Sequence, residues 1–134
     1  MSKSFLYILF FVSFSCFGQE FKDVPINTGV NMTVAIMDVD SGIVVGDTIL
    51  ALYQFEDSFR VGGLTIWKGE RLAIAIWGDD STSDEKDGFL DEESIRWVHN
   101  KNNKQSELLP IYRIGQNKWK PNGITIIEKL HIVK

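Results

Sequence analysis

The sequence predicts an all-β protein, an antiparallel β-sandwich of the jelly-roll or immunoglobulin type with six to eight strands. Short apolar runs recur along the chain and are separated by clusters of Gly, Asn, Asp and Ser. Several of these runs are joined by only about three residues, which suits antiparallel pairs and is too short for the crossover of a parallel pair. No window carries a convincing helical stripe, since even 91–103 fits a short strand equally well.

Four strands are predicted in the first half of the domain. They cover residues 31–37, 47–55, 59–67 and 71–77. The last three are joined by short turns and are therefore predicted to form an antiparallel meander. In 71–77 both alternating faces are apolar, which predicts a strand in the middle of a sheet.

Three further strands are predicted at 94–99, 108–114 and 124–133. Pro110 lacks an amide hydrogen, so its strand is expected at a sheet edge. The stretch 100–106 is rich in Asn and Lys and is predicted as a polar loop. A turn is expected around Asn117 and 121–123.

Residues 1–18 have the layout of a secretory signal peptide. Lys3 precedes an apolar run over 5–14, and small residues follow before Gln19. The predicted organisation is a signal peptide over 1–18 and a single β-sandwich domain over 19–134, with Gln19 as the first residue after cleavage. Acylation of Cys16 is the less favoured alternative, because Ser13 stands where lipidation signals carry an aliphatic residue.

Composition narrows the class of partner. Lys3 is the only charged residue of the predicted signal, so cleavage leaves 13 basic and 18 acidic residues and a net charge of −5. Nucleic acid and anionic membranes require a dense cationic surface, and both are therefore excluded as expected partners. The chain after cleavage has no cysteine and no expected membrane span. The expected location is secreted or at the cell surface, with the periplasm as the alternative.

Much of the domain resembles a β-rich module of secreted and cell-surface proteins of Bacteroidetes bacteria. The resemblance is carried by Asn27-Thr28-Gly29, Asn31-Met32-Thr33, Gly46-Asp47, Val61-Gly62, Trp67-Lys68-Gly69, Trp77-Gly78-Asp79-Asp80, Asp87-Gly88-Phe89 and Glu92. Asp91 stands where that pattern has Gly. The resemblance implies an extracellular, non-catalytic module and supplies no ligand. Independently of the resemblance, the Gly residues are expected to permit close approaches of the backbone. The Asp residues are expected to stabilise turns by accepting hydrogen bonds from nearby amides.

The densest polar run predicts a calcium site as one alternative and a solvated acidic loop as the other. Candidate ligands are Asp79, Asp80, Asp84, Asp87 and Glu92, with Asp91 and Glu93 beside them. Oxygen-rich loops suit calcium, which accepts six to eight oxygen ligands. The spacing does not match an EF-hand, and Lys86 interrupts the run, so the solvated loop is the favoured interpretation.

Four tryptophans supply a second candidate site. Trp67, Trp77, Trp97 and Trp119 are the candidate ligand-binding residues, because flat aromatic rings stack on sugars. Trp67 and Trp77 are expected to pack on the domain. Trp119 lies between Lys118 and Lys120 and is expected to be exposed.

Catalytic signals are weak. His99 and His131 are the only histidines and have no paired spacing for zinc, and no nucleophile elbow accompanies the serines. The predicted function is an exported, non-catalytic binding or adhesion module, with carbohydrate as a candidate ligand and an extracellular glycan or envelope protein as the partner. The alternative is a structural or assembly component of the cell envelope, and a small glycoside hydrolase is a distant third.

Overall fold

The computed structural model describes residues 24–134, which form seven strands and no helix. The strands are β1 Asn31–Ile36, β2 Thr48–Phe55, β3 Ser58–Ile66, β4 Leu72–Trp77, β5 Arg96–Lys101, β6 Lys104–Ile114 and β7 Ile124–Ile132. The predicted all-β class and strand number are confirmed. The predicted signal peptide lies outside the described residues. Within 24–134 there is no helix long and apolar enough to cross a membrane.

All seven strands belong to one continuous sheet in the order β3-β2-β5-β6-β7-β1-β4. Five of the six neighbouring pairs are antiparallel, and β1 pairs with β7 in parallel. The two end strands approach each other closely, since a Cβ added at Gly63 of β3 would lie 3.1 Å from the Ala75 carbonyl of β4. The sheet therefore nearly closes into a barrel-like shape, and the predicted sandwich describes it only in part.

The predicted meander is right for β2 and β3 and wrong for β4. The hairpin of β2 and β3 pairs Phe55 with Ser58. After β3 the chain turns away, and β4 pairs antiparallel with β1 through partners such as Val34 and Ile74. A short connection keeps two strands near each other in space but does not require them to pair through hydrogen bonds. Here the connection between β3 and β4 joins the two end strands of the sheet.

Strand β4 is an edge strand, which corrects its predicted central position. Ile74 and Ile76 face inward and are buried, whereas Ala73 and Ala75 face outward and are exposed. An alanine methyl presents little apolar area, so a face carrying alanine tolerates water. The apolar residues on both faces therefore did not require burial on both sides.

The predicted polar loop at 100–106 is wrong, because a tight hairpin joins β5 and β6. Lys101 pairs with Lys104, and the two residues between them, Asn102 and Asn103, have φ of 50° and 63°. Such a two-residue turn needs positive φ at both positions, which asparagine tolerates. The Asn-rich composition signalled the turn itself.

Pro110 lies in β6, an interior strand of the sheet rather than an edge strand. Pairing of β5 with β6 ends at Leu108, so β6 has no β5 partner at Pro110. The Glu107 carbonyl accepts a hydrogen bond from the Val133 amide and therefore points toward β7. Backbone polar groups of successive residues point to alternate sides of a strand, so the Pro110 nitrogen points away from β7. The missing amide hydrogen therefore falls where no ladder bond is required.

One face of the sheet encloses the main core, and loop residues close its two ends. Core side chains from the strands include Met32, Val34, Ile36, Ile49, Ala51, Tyr53, Ile74, Ile76, Trp97, Leu108, Ile127 and Leu130. Segments 78–95 and 115–123 form what we call the loop-rich end, where Phe89 and Trp119 enter the core. Segments 37–47 and 67–71 form the opposite end, closed by Val39, Ile43 and Trp67.

Gly88 is a close-approach position, and we expect Gly88→Ala to lower the free energy of unfolding by about 2–3 kcal/mol. A Cβ there would overlap the Gly78 carbonyl and lie 2.6 Å from the Trp77 oxygen, so backbone rather than a mobile side chain would have to move. Urea denaturation measures the change. Ser81→Ala, at an exposed position of the same segment, is the control. Equal stability of the two variants would contradict the close approach.

Candidate functional site

The motif residues around Gly78 and Gly88 hold the loop-rich end together. The Asp79 amide donates to the Phe89 carbonyl at 2.8 Å, and the Phe89 amide donates to the Trp77 carbonyl at 3.0 Å. Side chains reinforce this pairing, since the Asp87 amide donates to Asp79 Oδ1 at 2.9 Å. In return, the Asp80 amide donates to Asp87 Oδ1 at 2.7 Å. These carboxylates therefore act as turn acceptors, as expected for Asp beside Gly.

The candidate calcium ligands do not converge. Among residues 24–134 no group of three or more His, Cys, Asp or Glu side chains is placed to hold a metal ion. Asp79 and Asp87 serve the backbone as described above, and Asp84 is exposed. The Thr82 hydroxyl and amide donate to Asp80 and hold the pKa of that carboxyl below its ordinary value. Glu92 belongs to a different site, described below. In the described part of the chain, the acidic run therefore supplies turn acceptors, and its candidate ligands are not gathered into one cluster.

We expect millimolar calcium to leave the melting temperature unchanged. A ligand of the native state raises the melting temperature by mass action, and no such ligand cluster is formed by the described carboxylates. Asp87→Ala should instead cost about 1 kcal/mol with or without calcium, because the Asp80 amide loses its acceptor. Asp84→Ala removes the same charge without that hydrogen bond and is the control. A calcium-dependent rise abolished by Asp87→Ala would contradict this assignment.

The tryptophans do not form an exposed stacking surface. Trp67, Trp97 and Trp119 are 6%, 1% and 3% exposed, and Trp77 is half-buried. The expected exposure of Trp119 is wrong. Its ring packs against Gly78, and its Nε1–H donates to the Ile76 carbonyl at 3.0 Å. Because Trp119 points inward, its neighbours on either side point outward.

Asn117 anchors the segment 115–123 to the sheet. Its Oδ1 accepts from Trp97 Nε1–H at 3.2 Å and from the Tyr112 hydroxyl at 2.8 Å. Its Nδ2 donates to the Ile95 carbonyl at 2.8 Å. Burial raises the pKa of Tyr112 to about 12, so its hydroxyl stays a donor at neutral pH. The side chains beyond Asn117 are thereby placed on a fixed backbone.

Backbone pairing brings Glu92 beside the lysines of this segment. The Glu92 amide donates to the Trp119 carbonyl, and the Trp119 amide donates to the Glu93 carbonyl, both at 2.8 Å. Glu92 has φ of 69°, a left-handed conformation that is uncommon for a residue with a Cβ. The turn 120–123 then returns the chain to β7, with Pro121 and the positive-φ Asn122 in the positions that a type II turn favours.

A cavity of about 350 Å³ opens at the loop-rich end where β1 and β7 begin. Its walls include Met32, Gly115, Gln116, Gly123 and Ile124. Its charged lining consists of Glu92, Lys118 and Lys120. The size lies within the range of small-molecule pockets, and a recess at the end of a barrel-like sheet is a common location for them.

The charged side chains of the cavity are unevenly paired. Lys120 Nζ lies 2.6 Å from Glu92 Oε1, whereas Lys118 Nζ lies 3.9 Å from Glu92 Oε2. The contact with Lys120 lowers the pKa of Glu92, and the same contact raises the pKa of Lys120, with a further contribution from Asp91. Glu92 and Lys120 are therefore both charged at neutral pH. These half-exposed pairs contribute little to stability.

Thr125 lines the same cavity and carries a hydroxyl without a partner. The residue is 7% exposed, and its Oγ1 has no hydrogen-bond partner among the described residues. Buried hydroxyls normally have one, because leaving them unpaired costs free energy. This threonine therefore has no evident structural reason to be polar.

A second, larger groove of about 510 Å³ runs beside β5 and β6, but each of its charged side chains has a close partner. Arg96 Nε lies 3.3 Å from Glu107 Oε1, and Glu93 pairs with Lys86, which lies outside the groove. The cavity at the loop-rich end, where Lys118 has no close partner, is therefore the better candidate for a ligand.

A buried His–Asp pair lies at the opposite end. His99 Nε2–H donates to Asp47 Oδ2 at 2.8 Å, and the same oxygen accepts from the Val44 amide at 2.9 Å. Both side chains are buried. Burial separates this pair from solvent and from the cavity, so its evident role is to hold segment 44–47 against β5.

Sequence reasoning missed the cavity and the Asp47–His99 pair. The signal for the cavity was the alternation Lys118, Trp119, Lys120, in which an inward tryptophan directs both lysines outward. No local signal joins Asp47 to His99. The class defined by fold and site is a nearly closed all-β domain with a ligand-sized recess at one end. Models of protein families, curated proteins and solved structures provide no match to this chain.

Proposed function

We propose that this chain is an exported, non-catalytic binding module that holds a small ligand in the cavity at the loop-rich end. The observation that carries the proposal is the cavity itself, with two lysines at its rim and the unpartnered Thr125 hydroxyl in its lining. Export rests on the predicted signal peptide over 1–18. The resemblance to extracellular modules points to the same location. An extracellular glycan or envelope component is the ligand source that this location suggests.

The absence of catalysis is part of the proposal. The Asp47–His99 pair is the arrangement that general acid–base chemistry would use, and it is buried at the end opposite the cavity. A group that transfers protons to a substrate must come within hydrogen-bond distance of that substrate. The lysines of the cavity carry charge suited to holding a ligand.

Ligand-observed NMR with a library of saccharides and small envelope metabolites tests the proposal. At least one compound is expected to bind the cleaved protein with a dissociation constant of micromolar to millimolar order, a range typical of small sites. Gln116→Trp fills the cavity from its wall and should abolish binding. Glu70→Trp, at an exposed position of the opposite end, should not. Retained binding in Gln116→Trp would place the ligand elsewhere and overturn the assignment.

Exposed apolar side chains favour one second candidate, a structural or assembly component. Leu109 and Ile111 point outward from β6 and are 54% and 45% exposed. Apolar side chains on a sheet face mark interfaces when they form a larger patch. Sedimentation velocity separates the two functions. A binding module is expected to be monomeric, whereas an oligomer that dissociates in Ile111→Glu would favour assembly.

A further inference from the structure

We infer that the ligand of the cavity is a small organic anion, with a carboxylate or phosphate group held by Lys118 and Lys120 and a further hydrogen bond from the Thr125 hydroxyl. This inference rests on the proposed function and deepens it by naming the ligand class. The reasons are the charge of the lining, the pairing of Lys118, the unpartnered hydroxyl of Thr125 and the glycine backbone at Gly115.

The lining carries two cations and one anion in a chain whose overall charge is negative. Glu92 bonds to Lys120 and is too far from Lys118 for a hydrogen bond, since 3.9 Å exceeds hydrogen-bond distance. Asp91 does not line the cavity, but its charge also raises the pKa of Lys120. Lys118 is thus the cation of the cavity that lacks a close anionic partner. A bound carboxylate or phosphate would supply that partner.

The second argument is the unpartnered hydroxyl of Thr125. A threonine hydroxyl can donate one hydrogen bond, and carboxylate and phosphate oxygens are strong acceptors. Valine has almost the same shape, so packing alone gives no reason for threonine at this position. Since Thr125 lines the cavity, a ligand oxygen that contacts this side chain would supply the missing acceptor.

Gly115 packs closely against Thr125. It has φ of 87°, and a Cβ built there would lie 2.5 Å from the Thr125 Cγ2 and 3.1 Å from its Cβ. Any side chain at this position would therefore press on the threonine. A glycine wall lets a ligand approach the backbone closely. The volume of about 350 Å³ limits the ligand to roughly one sugar ring or a molecule of similar size.

The test compares three probes that share one ring: glucose, glucuronate and glucose 6-phosphate. Amide chemical shifts of Gly115, Gly123 and Thr125 report binding in titrations at low salt. At least one of the two anions is expected to bind at least about tenfold more tightly than glucose, as charge-assisted hydrogen bonds predict. The anion that binds more tightly shows whether the site favours a carboxylate or a phosphate group. Added salt should weaken the binding.

Four variants test the contribution of individual side chains to anion binding. Lys118→Gln should weaken anion binding by about tenfold. Glu92→Gln should strengthen it, because the competing carboxylate loses its charge. Thr125→Val should weaken binding while leaving the melting temperature unchanged or higher, which a purely structural threonine would not do. Lys104→Gln, at the start of β6 at the opposite end, removes the same charge and should change nothing.

The outcomes separate this inference from the proposed function. If neither anion shifts the cavity amides, or if glucose binds as tightly as both anions, the inference is overturned. Binding of a neutral compound that Gln116→Trp abolishes would then leave the proposed function standing. A library that contains no cavity ligand of any charge would overturn the proposed function as well.

Discussion

Trp119→Ala is expected to lower the free energy of unfolding by about 3–5 kcal/mol, the largest effect of any single substitution considered for this protein. The ring is buried in the core at the loop-rich end and packs against Gly78, where no side chain is available to fill the space it would leave. The substitution also removes the donor to the Ile76 carbonyl. Urea denaturation with an unchanged slope measures the loss.

Trp119→Phe is the matched control for the hydrogen bond. Phenylalanine keeps much of the apolar area but leaves the Ile76 carbonyl without its donor, so we expect a smaller loss of about 1–2 kcal/mol. A loss below about 1 kcal/mol for Trp119→Ala would contradict the buried position, because an exposed tryptophan contributes little to the core. The same result would restore Trp119 as a candidate for sugar stacking.

Asp47→Ala is expected to cost about 2–3 kcal/mol, because one oxygen of this carboxylate accepts two hydrogen bonds in the core. Its removal leaves His99 Nε2 and the Val44 amide without their acceptor. His99 Nδ1 already has no partner among residues 24–134, so the ring would then be buried with both nitrogens unpaired. Thermal unfolding measures the loss. Asp57→Ala, which removes a similar charge at an exposed position, is the control.

Asp47→Asn separates the charge of this residue from its shape. Asparagine can still present one oxygen to both donors, so we expect a smaller loss than for alanine. The Val44 amide, followed by His99, holds the pKa of Asp47 below its ordinary value of 3.8. A lowered folded-state pKa stabilises the fold above the unfolded-state pKa, and this contribution disappears as the pH falls through the folded-state value. The cost of Asp47→Asn should therefore be larger at pH 7 than near pH 2. An equal cost at both pH values would contradict the lowered pKa of Asp47.

The candidate site was less predictable than the strands. Lys118, Lys120 and Glu92 are ordinary surface residues in the sequence, and they form a site only because 90–95 and 115–123 pair through the backbones of Glu92, Glu93 and Trp119. The conspicuous features had other roles. The acidic run supplies turn acceptors, and three of the four tryptophans fill the core.

The sequence by itself determined the seven strands and most of the turns, because alternation, β-branched residues and Asn, Gly or Pro at turns act over a few neighbouring residues. Only the tertiary structure decided that β4 joins β1, that β1 and β7 run parallel, and that Asp47 meets His99. It also decided that Trp119 faces inward and leaves a cationic recess beside it. These outcomes depend on contacts between segments far apart in the chain. Their free energies arise from the nearly closed sheet as a whole and cannot be derived from any local pattern.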